Sequence, residues 1–332
     1  MEKLRIATDC SGIETPLMAL DQLKIPYDHI FSSETDRNCL CFIQRNFPPQ
    51  HLYHDIKTRD NSLYQTDPMD LYIAGFPCQP FSSLGKKNGV LDEAQTTRND
   101  GLFWHIRDFI KINQPKVFIL ENVKALKVRN KGKDLQLIIE SLKSCGNYSI
   151  HHQIMNTSDY GIPQSRSRLY IVGFNQDWFG DAVTTFEFPA PHKQQFNIEH
   201  IVNPYLKAPP PLQLKQSHIP KLQYIQQKWP QYDINNPDQL WIIDLNRTNR
   251  WLRIGKPNLC PCIITHYQYY YVPRYQRYLT AREIGFFQGI IFHLYDFSSC
   301  SDKILFKMFG NAMSINVLIV LLNKIFHTIH KI

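Results

Sequence analysis

The sequence predicts an α/β protein with a doubly wound, mostly parallel sheet and a second, smaller domain. Three observations predict this class: short apolar runs alternate with helical patterns over residues 1–175, the alternation stops after Phe174, and a helical pattern returns near the C-terminus. Strands that alternate with helices form parallel sheets with helices on both faces. We therefore predict a first domain over residues 1–175, a second over residues 176–278, and a segment over residues 279–332 that returns to the first.

Six short apolar runs, each bounded by polar or turn-forming residues, are the predicted strands. They are Leu4–Thr8, His29–Ser33, Leu71–Ala74, Val117–Leu120, Tyr148–Met155 and Leu169–Phe174, the last two near an edge of the sheet. Four segments have apolar residues at helical spacing and are the predicted helices. They are Glu14–Leu23, Arg37–Phe47, Phe103–Ile112 and Asp134–Ser144.

After residue 175 the alternation of predicted strands and helices stops. Asn197–Pro220 is rich in proline and lacks periodicity, which predicts irregular structure. Thr280, with Glu283 three residues later, has the pattern of a capping box that opens a helix. Ile315–Ile329 has helical apolar spacing, and we expect this last helix to pack back on the sheet.

Composition places the chain among ordinary globular proteins, with 43% hydrophobic and 20% charged residues. No apolar run approaches the roughly 20 residues that span a bilayer, and the first residues lack the pattern of a signal peptide. We therefore expect an intracellular protein without a membrane partner. The eight cysteines are scattered and form no C-x-x-C pair. This spacing argues against a zinc site and against a disulfide framework, so we expect no metal.

Positive charge is concentrated in one aromatic segment. The net charge is +8 with a pI near 9.0, and eight basic and three acidic residues lie between Lys221 and Tyr278. Tyrosine and tryptophan recur throughout this segment. Basic side chains contact phosphates and aromatic faces stack on bases, so the segment fits a nucleic-acid surface. A solvated basic face with ordinary core aromatics explains the composition equally well.

One motif stands out as a candidate for chemistry. Gly75–Ser82 has the sequence GFPCQPFS, which places Cys78 on a sharp loop directly after the predicted strand Leu71–Ala74. Ligands of open α/β sheets bind at the carboxyl ends of the strands. A free cysteine is more often an inert buried residue than a nucleophile, so Cys78 alone decides nothing.

Three further clusters accompany Cys78. Glu121-Asn122-Val123 follows the strand Val117–Leu120, and its carboxylate is expected at the same edge of the sheet as the thiol. The run from Gln164 to Arg168 has the sequence QSRSR and precedes a strand, so that its two arginines share one face. Gly310-Asn311 precedes the last helix. Each cluster has a plain structural explanation on its own, but their ordered combination is highly specific.

The sequence resembles the DNA cytosine-5 methyltransferases, which carry the same motifs in the same order. The family order is a glycine loop, an acidic residue that ends the second strand, Pro-Cys-Gln, Glu-Asn-Val, Gln-x-Arg-x-Arg, a variable region and Gly-Asn. The resemblance covers the chain except roughly residues 175–259. It implies a Rossmann-like, S-adenosylmethionine-dependent methyltransferase fold, with a target-recognition domain over residues 176–278. It also implies methyl transfer to C5 of cytosine in double-stranded DNA.

The resemblance implies the role of each catalytic residue. Cys78 is the nucleophile that adds to C6 of a flipped-out cytosine, which makes C5 reactive. Glu121 is the acid or hydrogen-bonding partner at N3 and the amino group. Arg166 and Arg168 hold the base carbonyl and the acidic neighbour, with Arg168 favoured as the base contact.

The cofactor residues are implied in the same way. Ser11, Gly12 and Ile13 form the loop that the methionine part approaches, Glu34 accepts from the ribose hydroxyls, and Asp55 accepts from the adenine amino group. Further cofactor contacts match Pro77, Leu102 and Asn311.

Three positions depart from the family pattern. Cys10 stands where the loop usually has phenylalanine, Glu14 where it has a second glycine, and Thr35 where an aromatic residue commonly follows the acid. These departures predict looser cofactor contact rather than loss of activity.

DNA contacts are expected from the loop after Cys78 and from the recognition region. Gly85 and Gly89 suit a mobile lid that closes over DNA. The predicted DNA-binding residues are Gln79, Ser82, Lys86, Lys87, Arg98, Arg250 and Thr265.

Two alternatives stay open at this point. A transfer-RNA cytosine-5 methyltransferase has the same scaffold, but its relatives carry Cys-Phe-Thr where this chain has Pro261-Cys262-Ile263-Ile264-Thr265. An inactive DNA-binding paralogue typically loses the cysteine or the Glu-Asn-Val motif, and this chain keeps both. The lack of an N-terminal regulatory region favours a stand-alone, monomeric modification enzyme of a bacterium, phage or large virus, of the restriction-modification kind.

Overall fold

A seven-stranded sheet organises roughly the first half of the chain, residues 4–175, in the computed structural model. The structure describes residues 3–76, 101–192, 198–203, 205–206, 212–246, 255–265 and 269–329. The strands of this sheet lie in the order β3-β2-β1-β4-β5-β7-β6. They are β1 (Leu4–Asp9), β2 (Tyr27–Ser33), β3 (His51–Tyr53), β4 (Leu71–Gly75), β5 (Val117–Val123), β6 (Tyr148–Asn156) and β7 (Ser167–Asn175).

Five neighbouring strands of the sheet are parallel, from β3 through β5, and β7 is antiparallel to β5. The central strands are buried along almost their whole length, which explains their nearly continuous apolar sequences. The predicted mostly parallel α/β sheet is confirmed. Strand β3 was not predicted, because it has only three residues and lies at the edge of the sheet.

Helices connect the strands and continue into the rest of the chain. Those described are α1 (Thr15–Leu23), α2 (Arg37–Asn46), α3 (Leu102–Asn113), α4 (Lys133–Lys143), α5 (Gln176–Phe179), α6 (Ile219–Lys228), α7 (Ala281–Phe287), α8 (Asp302–Asn311) and α9 (Ile315–Thr328). The predicted capping box is present at the start of α7, where Thr280 and Glu283 exchange backbone and side-chain hydrogen bonds.

The chain divides into two compact units. The first comprises Met1–Met155, Ser167–Ala190 and Val317–Ile332, so most of α9 groups with the sheet as predicted. The second comprises Asn156–Arg166 and Pro191–Asn316. The functional division at residues 175 and 278 stays a prediction.

The second unit contains a small antiparallel sheet, β10-β9-β8, formed by Ile243–Asp244 (β8), Tyr270–Val272 (β9) and Arg277–Tyr278 (β10). Its core is aromatic: Trp241, Tyr271 and Tyr278 pack with Ile225. Arg277 is also fully buried, where both of its terminal nitrogens donate to the carboxylate of Glu283. Part of the basic, aromatic segment therefore stabilises this unit, whereas Lys228, Lys256 and Arg274 of the same segment are exposed.

Among the described residues, one stretch is long and apolar enough to cross a bilayer by length and composition, Asp302–Thr328. It comprises α8 and α9 with a non-helical break between them, and 67% of its most apolar window is buried inside the protein. Such burial is typical of a core helix.

Candidate functional site

The carboxyl ends of β4 and β5 place the predicted acid next to Gly75 and Phe76, the described residues that precede Cys78 in the sequence. Gly75 at the end of β4 lies directly opposite Glu121 on the parallel strand β5. The Asn122 side chain donates to the carbonyl of Phe76 at 3.4 Å, which ties the next residue of the loop to β5. Since Cys78 follows Gly75 by three residues, Glu121 borders the start of the loop that carries the predicted nucleophile.

Glu121 is paired with one of the two predicted arginines. Its Oε1 lies 3.2 Å from Nε of Arg168, and the two side chains are only 12% and 15% exposed. Arg168 reaches the carboxylate from β7, where it lies opposite Val123. The antiparallel insertion of β7 next to β5 therefore brings the Glu-Asn-Val and Gln-x-Arg-x-Arg motifs together.

Arg166 has a different environment from Arg168. Its guanidinium is buried and donates to three backbone carbonyls, those of Ile263 at 2.6 Å, Ala312 at 2.7 Å and Gly310 at 3.3 Å. These bonds hold the Pro261–Thr265 segment next to the C-terminal end of α8 within the second unit. They favour Arg168, rather than Arg166, for contact with a substrate base, and the catalytic role of Arg166 stays a prediction.

Gly310 is required by this close approach of two backbone segments. A Cβ atom at this position would lie 2.4 Å from the amide nitrogen of Thr265 and 2.5 Å from the carbonyl carbon of Ile264. Contacts this short force the backbone apart, because neither partner is the end of a flexible side chain.

We therefore predict that Gly310→Ala destabilises the protein by about 2–3 kcal/mol, the scale of overpacking in a close-packed interior. Thermal denaturation measures this change as a lower melting temperature. Gly255→Ala is the matched control, because no atom lies within 4 Å of its Cβ position. Equal melting temperatures for the two variants would contradict the prediction.

The loop after β1 meets the acidic residue that ends β2. The amide of Gly12 donates to Oε2 of Glu34 at 2.8 Å, and Oε1 of Glu34 accepts from the amides of Thr35 and Asp36. Ser11 bonds to Ser32 on β2 at 2.8 Å. The predicted methionine loop and ribose acid are thus adjacent at the carboxyl edge of the sheet.

Glu14 retains the backbone conformation that the family's glycine would adopt. Its φ is 56°, in the left-handed region that favours glycine. The side chain is fully buried, and its Oε1 accepts from Thr8 at 2.9 Å and from Ser32 at 2.5 Å. His29 lies 3.9 Å from the same oxygen. These contacts offset the backbone strain and fix the loop from beneath.

Removal of this carboxylate leaves buried hydroxyl groups without their acceptor. Glu14→Ala is expected to lower stability by about 2 kcal/mol, which corresponds to a fall of about 5 °C in the melting temperature. The exposed Glu187 provides a control, since Glu187→Ala removes a carboxylate from the surface. A Glu14→Ala protein that melts with the parent would show that the carboxylate contributes nothing to the loop.

The other predicted cofactor residues are spread over several elements. Asp55 caps a 3-10 turn, where its Oδ1 accepts from the amide of Lys57 at 3.0 Å. Leu102 packs at the edge of the main core at the start of α3. Ile13 is buried, and Asn311 is exposed at the end of α8.

Sequence reasoning missed a buried ion pair between Arg59 and Asp9. Arg59 donates from Nη1 to Oδ1 of Asp9 at 2.5 Å and from Nη2 to Oδ2 at 2.8 Å. Tyr72 also donates to Asp9, at 2.5 Å, and Arg59 reaches Ser33 at 3.1 Å. We refer to Asp9, Ser33, Arg59 and Tyr72 as the Arg59 cluster. The signal that might have revealed it is Asp9, a charged residue at the end of a buried strand, which requires a partner.

In the Arg59 cluster, the pKa values of both Arg59 and Tyr72 are raised. Burial acts to lower the pKa of Arg59, but the neighbouring Asp9 carboxylate and the hydrogen bonds to it raise this pKa above its ordinary value. Burial and the same carboxylate raise the pKa of Tyr72 well above its usual range. Arg59 is therefore charged and Tyr72 is a hydrogen-bond donor throughout the neutral pH range.

Several described cysteines are poor nucleophiles. Burial raises the pKa of Cys145 to about 11. Burial raises the pKa of Cys10 and of Cys260 as well, with the nearby Asp9 carboxylate adding to the effect at Cys10. The thiolate is the reactive form, so these thiols are unreactive at neutral pH.

Some predicted site residues lie outside the described residues. They are Pro77, Cys78, Gln79, Ser82, Lys86, Lys87, Arg98 and Arg250. Thr265 is described and lies partly buried beside Gly310. Within the described part of the chain, no three His, Cys, Asp or Glu side chains are grouped to hold a metal ion.

A profile of the family described as C-5 cytosine-specific DNA methylase matches residues 6–327. Among curated proteins, the Type II methyltransferase M.NgoBI of Neisseria gonorrhoeae is 39% identical over 166 residues, which cover 50% of this chain and 48% of that protein. The Type II methyltransferase M.HaeII of Haemophilus aegyptius is 39% identical over 174 residues, which cover 52% and 50%. The chain thus spans about half the length of the curated relatives it matches.

Solved structures share the fold along nearly the whole chain. The Dnmt2 methyltransferase of S. pombe superposes with a TM-score of 0.68 at 18% identity, covering 98% of this chain and 99% of that chain. A putative DNA modification methyltransferase encoded within an E. coli prophage gives a TM-score of 0.61 at 17% identity, covering 99% and 100%. At these identities the likeness concerns the fold alone.

Proposed function

Because the chain belongs to the C-5 cytosine-specific DNA methylase family, we propose that it transfers a methyl group from S-adenosylmethionine to C5 of cytosine in double-stranded DNA. The reaction proceeds through a covalent bond between Cys78 and C6 of a flipped-out base. The enzyme acts inside the cell as a monomer, needs no metal ion and belongs to the Type II modification class named among its relatives.

The observation that carries this proposal is the pairing of Glu121 with Arg168 opposite Gly75. Glu121 lies near the carboxyl end of the buried strand β5, 3.2 Å from the Arg168 guanidinium and in register with the last residue of β4. Three residues extend at most about 11 Å, so chain length alone keeps Cys78 in the neighbourhood of this pair. An acid and a cation at this strand edge, next to the residues that precede the proposed nucleophile in the sequence, suit attack on a heterocyclic base.

The residues divide the chemistry between them. The Cys78 thiolate forms a bond to C6, the C5–C6 double bond opens, and negative charge moves onto the ring. Glu121 donates a proton or hydrogen bond at N3, and Arg168 holds the carboxylate and the O2 carbonyl. The activated C5 then accepts the methyl group. A base finally removes the C5 proton, the double bond re-forms and the Cys78 thiolate leaves.

The residues at the sheet edge fit S-adenosylmethionine. The Glu34 carboxylate accepts hydrogen bonds from three backbone amides. Because a carboxylate has about four lone-pair positions, it can still accept a hydrogen bond from a ribose hydroxyl. Asp55 has a second oxygen for the adenine amino group, while Ser11, Gly12, Ile13, Pro77, Leu102 and Asn311 complete the predicted contacts. When bound, the cofactor supplies an electrophilic methyl group on sulfur.

DNA binding is assigned to the residues that follow the nucleophile and to the second unit. Phosphate contacts suit basic and hydroxyl side chains, and base contacts suit the recognition region. The proposed DNA-binding residues are Gln79, Ser82, Lys86, Lys87, Arg98, Arg250 and Thr265.

Transfer of tritium from labelled S-adenosylmethionine to unmethylated duplex DNA tests the proposal, with transfer RNA as a parallel substrate. Label on DNA, followed by bisulfite sequencing that places it on cytosine, is the expected result. Label on RNA alone would move the function to the transfer-RNA alternative. No label on either, with DNA binding intact, would favour an inactive paralogue.

A further inference from the structure

The Arg59 cluster lies where three segments with predicted cofactor residues meet. Asp9 immediately precedes the loop of residues 10–14, which carries the methionine contacts, and Ser33 immediately precedes Glu34, the ribose acid. Arg59 itself directly follows the 3-10 turn Ile56–Thr58, which Asp55 caps. The Arg59 guanidinium therefore donates hydrogen bonds to the first two segments, at Asp9 and Ser33, while Arg59 itself lies at the end of the third.

The geometry of the cluster suits a rigid joint. The Arg59 and Asp9 side chains are both fully buried and form two parallel hydrogen bonds, the fork-to-carboxylate arrangement that lysine cannot reproduce. The guanidinium also lies over the Phe31 ring, 4.3 Å from its centroid. It lies 4.8 Å from the centroid of the Phe109 ring as well, so a strand and a helix of the main core both contact the group.

Stability alone is a weak reason for such a pair. Burying two charges costs desolvation energy, and well-packed apolar residues often stabilise a core equally well or better. What a buried bidentate pair does provide is a fixed distance and orientation between the segments that carry it. A ligand that binds across pre-ordered segments avoids the cost of ordering them.

We propose that Arg59 is a positioning residue for S-adenosylmethionine, which fixes the spacing of the methionine, ribose and adenine segments through Asp9 and Ser33. The inference rests on the proposed function, because the ligand is the cofactor of that reaction. Arg59 acts through these neighbours and touches no reacting atom. Its loss should therefore weaken cofactor binding while the chemical step at saturating cofactor is largely unchanged.

Titration calorimetry with S-adenosylhomocysteine tests the proposal without a requirement for turnover. Arg59→Lys is expected to bind this product about tenfold more weakly than the parent, with a similar rise in the KM for S-adenosylmethionine and a kcat within about twofold. Asp9→Asn should have a similar effect. The variant that carries both Arg59→Lys and Asp9→Asn should bind S-adenosylhomocysteine only slightly more weakly than either single variant, because each substitution disrupts the same ion pair.

Two controls separate positioning from general stability. Arg277→Lys disrupts another fully buried arginine-carboxylate pair, which contacts none of the three segments. It should lower the melting temperature and leave S-adenosylhomocysteine affinity unchanged. Asn61→Ala removes the acceptor of the Arg59 Nε, at 3.0 Å, and leaves the partners of Nη1 and Nη2, Asp9 and Ser33, in place. This variant should also retain affinity.

If Arg59→Lys fails to fold, Ser33→Ala tests the positioning role instead. Ser33→Ala removes one hydrogen bond of Arg59 and leaves the Arg59–Asp9 ion pair intact. We expect about threefold weaker binding for Ser33→Ala and none of this loss for Asn61→Ala. Parent-like affinity in folded Arg59→Lys, or in Ser33→Ala, would overturn the positioning role alone. A parent protein that binds no S-adenosylhomocysteine would instead reject the proposed function, and this inference with it.

Discussion

Replacement of Cys78 by alanine is expected to reduce methyl transfer to DNA by about 10⁴-fold or more. The thiolate forms the bond that activates C5, and no other group in the proposed mechanism can take its place. Measurement of kcat with labelled S-adenosylmethionine gives the size of the loss. Duplex affinity, measured separately, should stay within about threefold of the parent value, because the substitution removes one small side chain.

Cys41→Ala is the matched control, since Cys41 is an exposed cysteine in α2. It should retain parent activity. Residual transfer by Cys78→Ala above about 1% of the parent rate would show that methylation does not require this thiol.

Replacement of Glu121 by glutamine is the second large effect. Glutamine has nearly the same shape but neither donates a carboxyl proton nor carries the charge that pairs with Arg168. General acid-base catalysis typically contributes about 10²–10⁴-fold, so we expect a loss of this size in kcat, with a smaller change in the KM for DNA.

Glu140→Gln on the exposed face of α4 is the corresponding surface control. A Glu121→Gln enzyme with more than about one tenth of parent kcat would contradict the assignment of Glu121 as the acid. A loss that appears only in KM would assign it to binding instead.

The parts of the fold that could be predicted are those with a local signal. Strands β1, β4 and β5 are buried on both faces and therefore have continuous apolar sequences that periodicity recognises. The capping box at Thr280 is likewise encoded by two residues three positions apart. The edge strand β3 carries no such signal, and the position of β7 between β5 and β6 depends on tertiary pairing.

The same distinction applies to the candidate site. The sequence predicted the Glu-Asn-Val and Gln-x-Arg-x-Arg motifs but not which arginine pairs with Glu121, which the structure shows to be Arg168. The separate environment of Arg166 depends on backbone carbonyls from distant segments. Arg59 was missed because its partners lie 26 and 50 residues away. In the aromatic segment, the burial of Tyr270 and Arg277 is decided by packing, which composition alone does not show.

The departures from the family loop also acquire a physical explanation. Glu14 keeps the left-handed conformation of a glycine and compensates with buried hydrogen bonds to Thr8 and Ser32. Asp9, next to Cys10, is anchored by Arg59. The loop is therefore held by polar contacts, and the looser cofactor contact expected from these departures stays a prediction.

The covalent step is tested most directly with duplex DNA in which cytosine is replaced by 5-fluorocytosine. Fluorine at C5 cannot leave as a proton, so an enzyme that adds to C6 and methylates C5 becomes trapped on the DNA. Incubation with S-adenosylmethionine, digestion and mass spectrometry should identify a methylated fluorocytosine attached to the peptide that contains Cys78. Transfer of methyl groups to ordinary DNA without any trapped adduct, or an adduct on a different cysteine, would contradict the proposed mechanism.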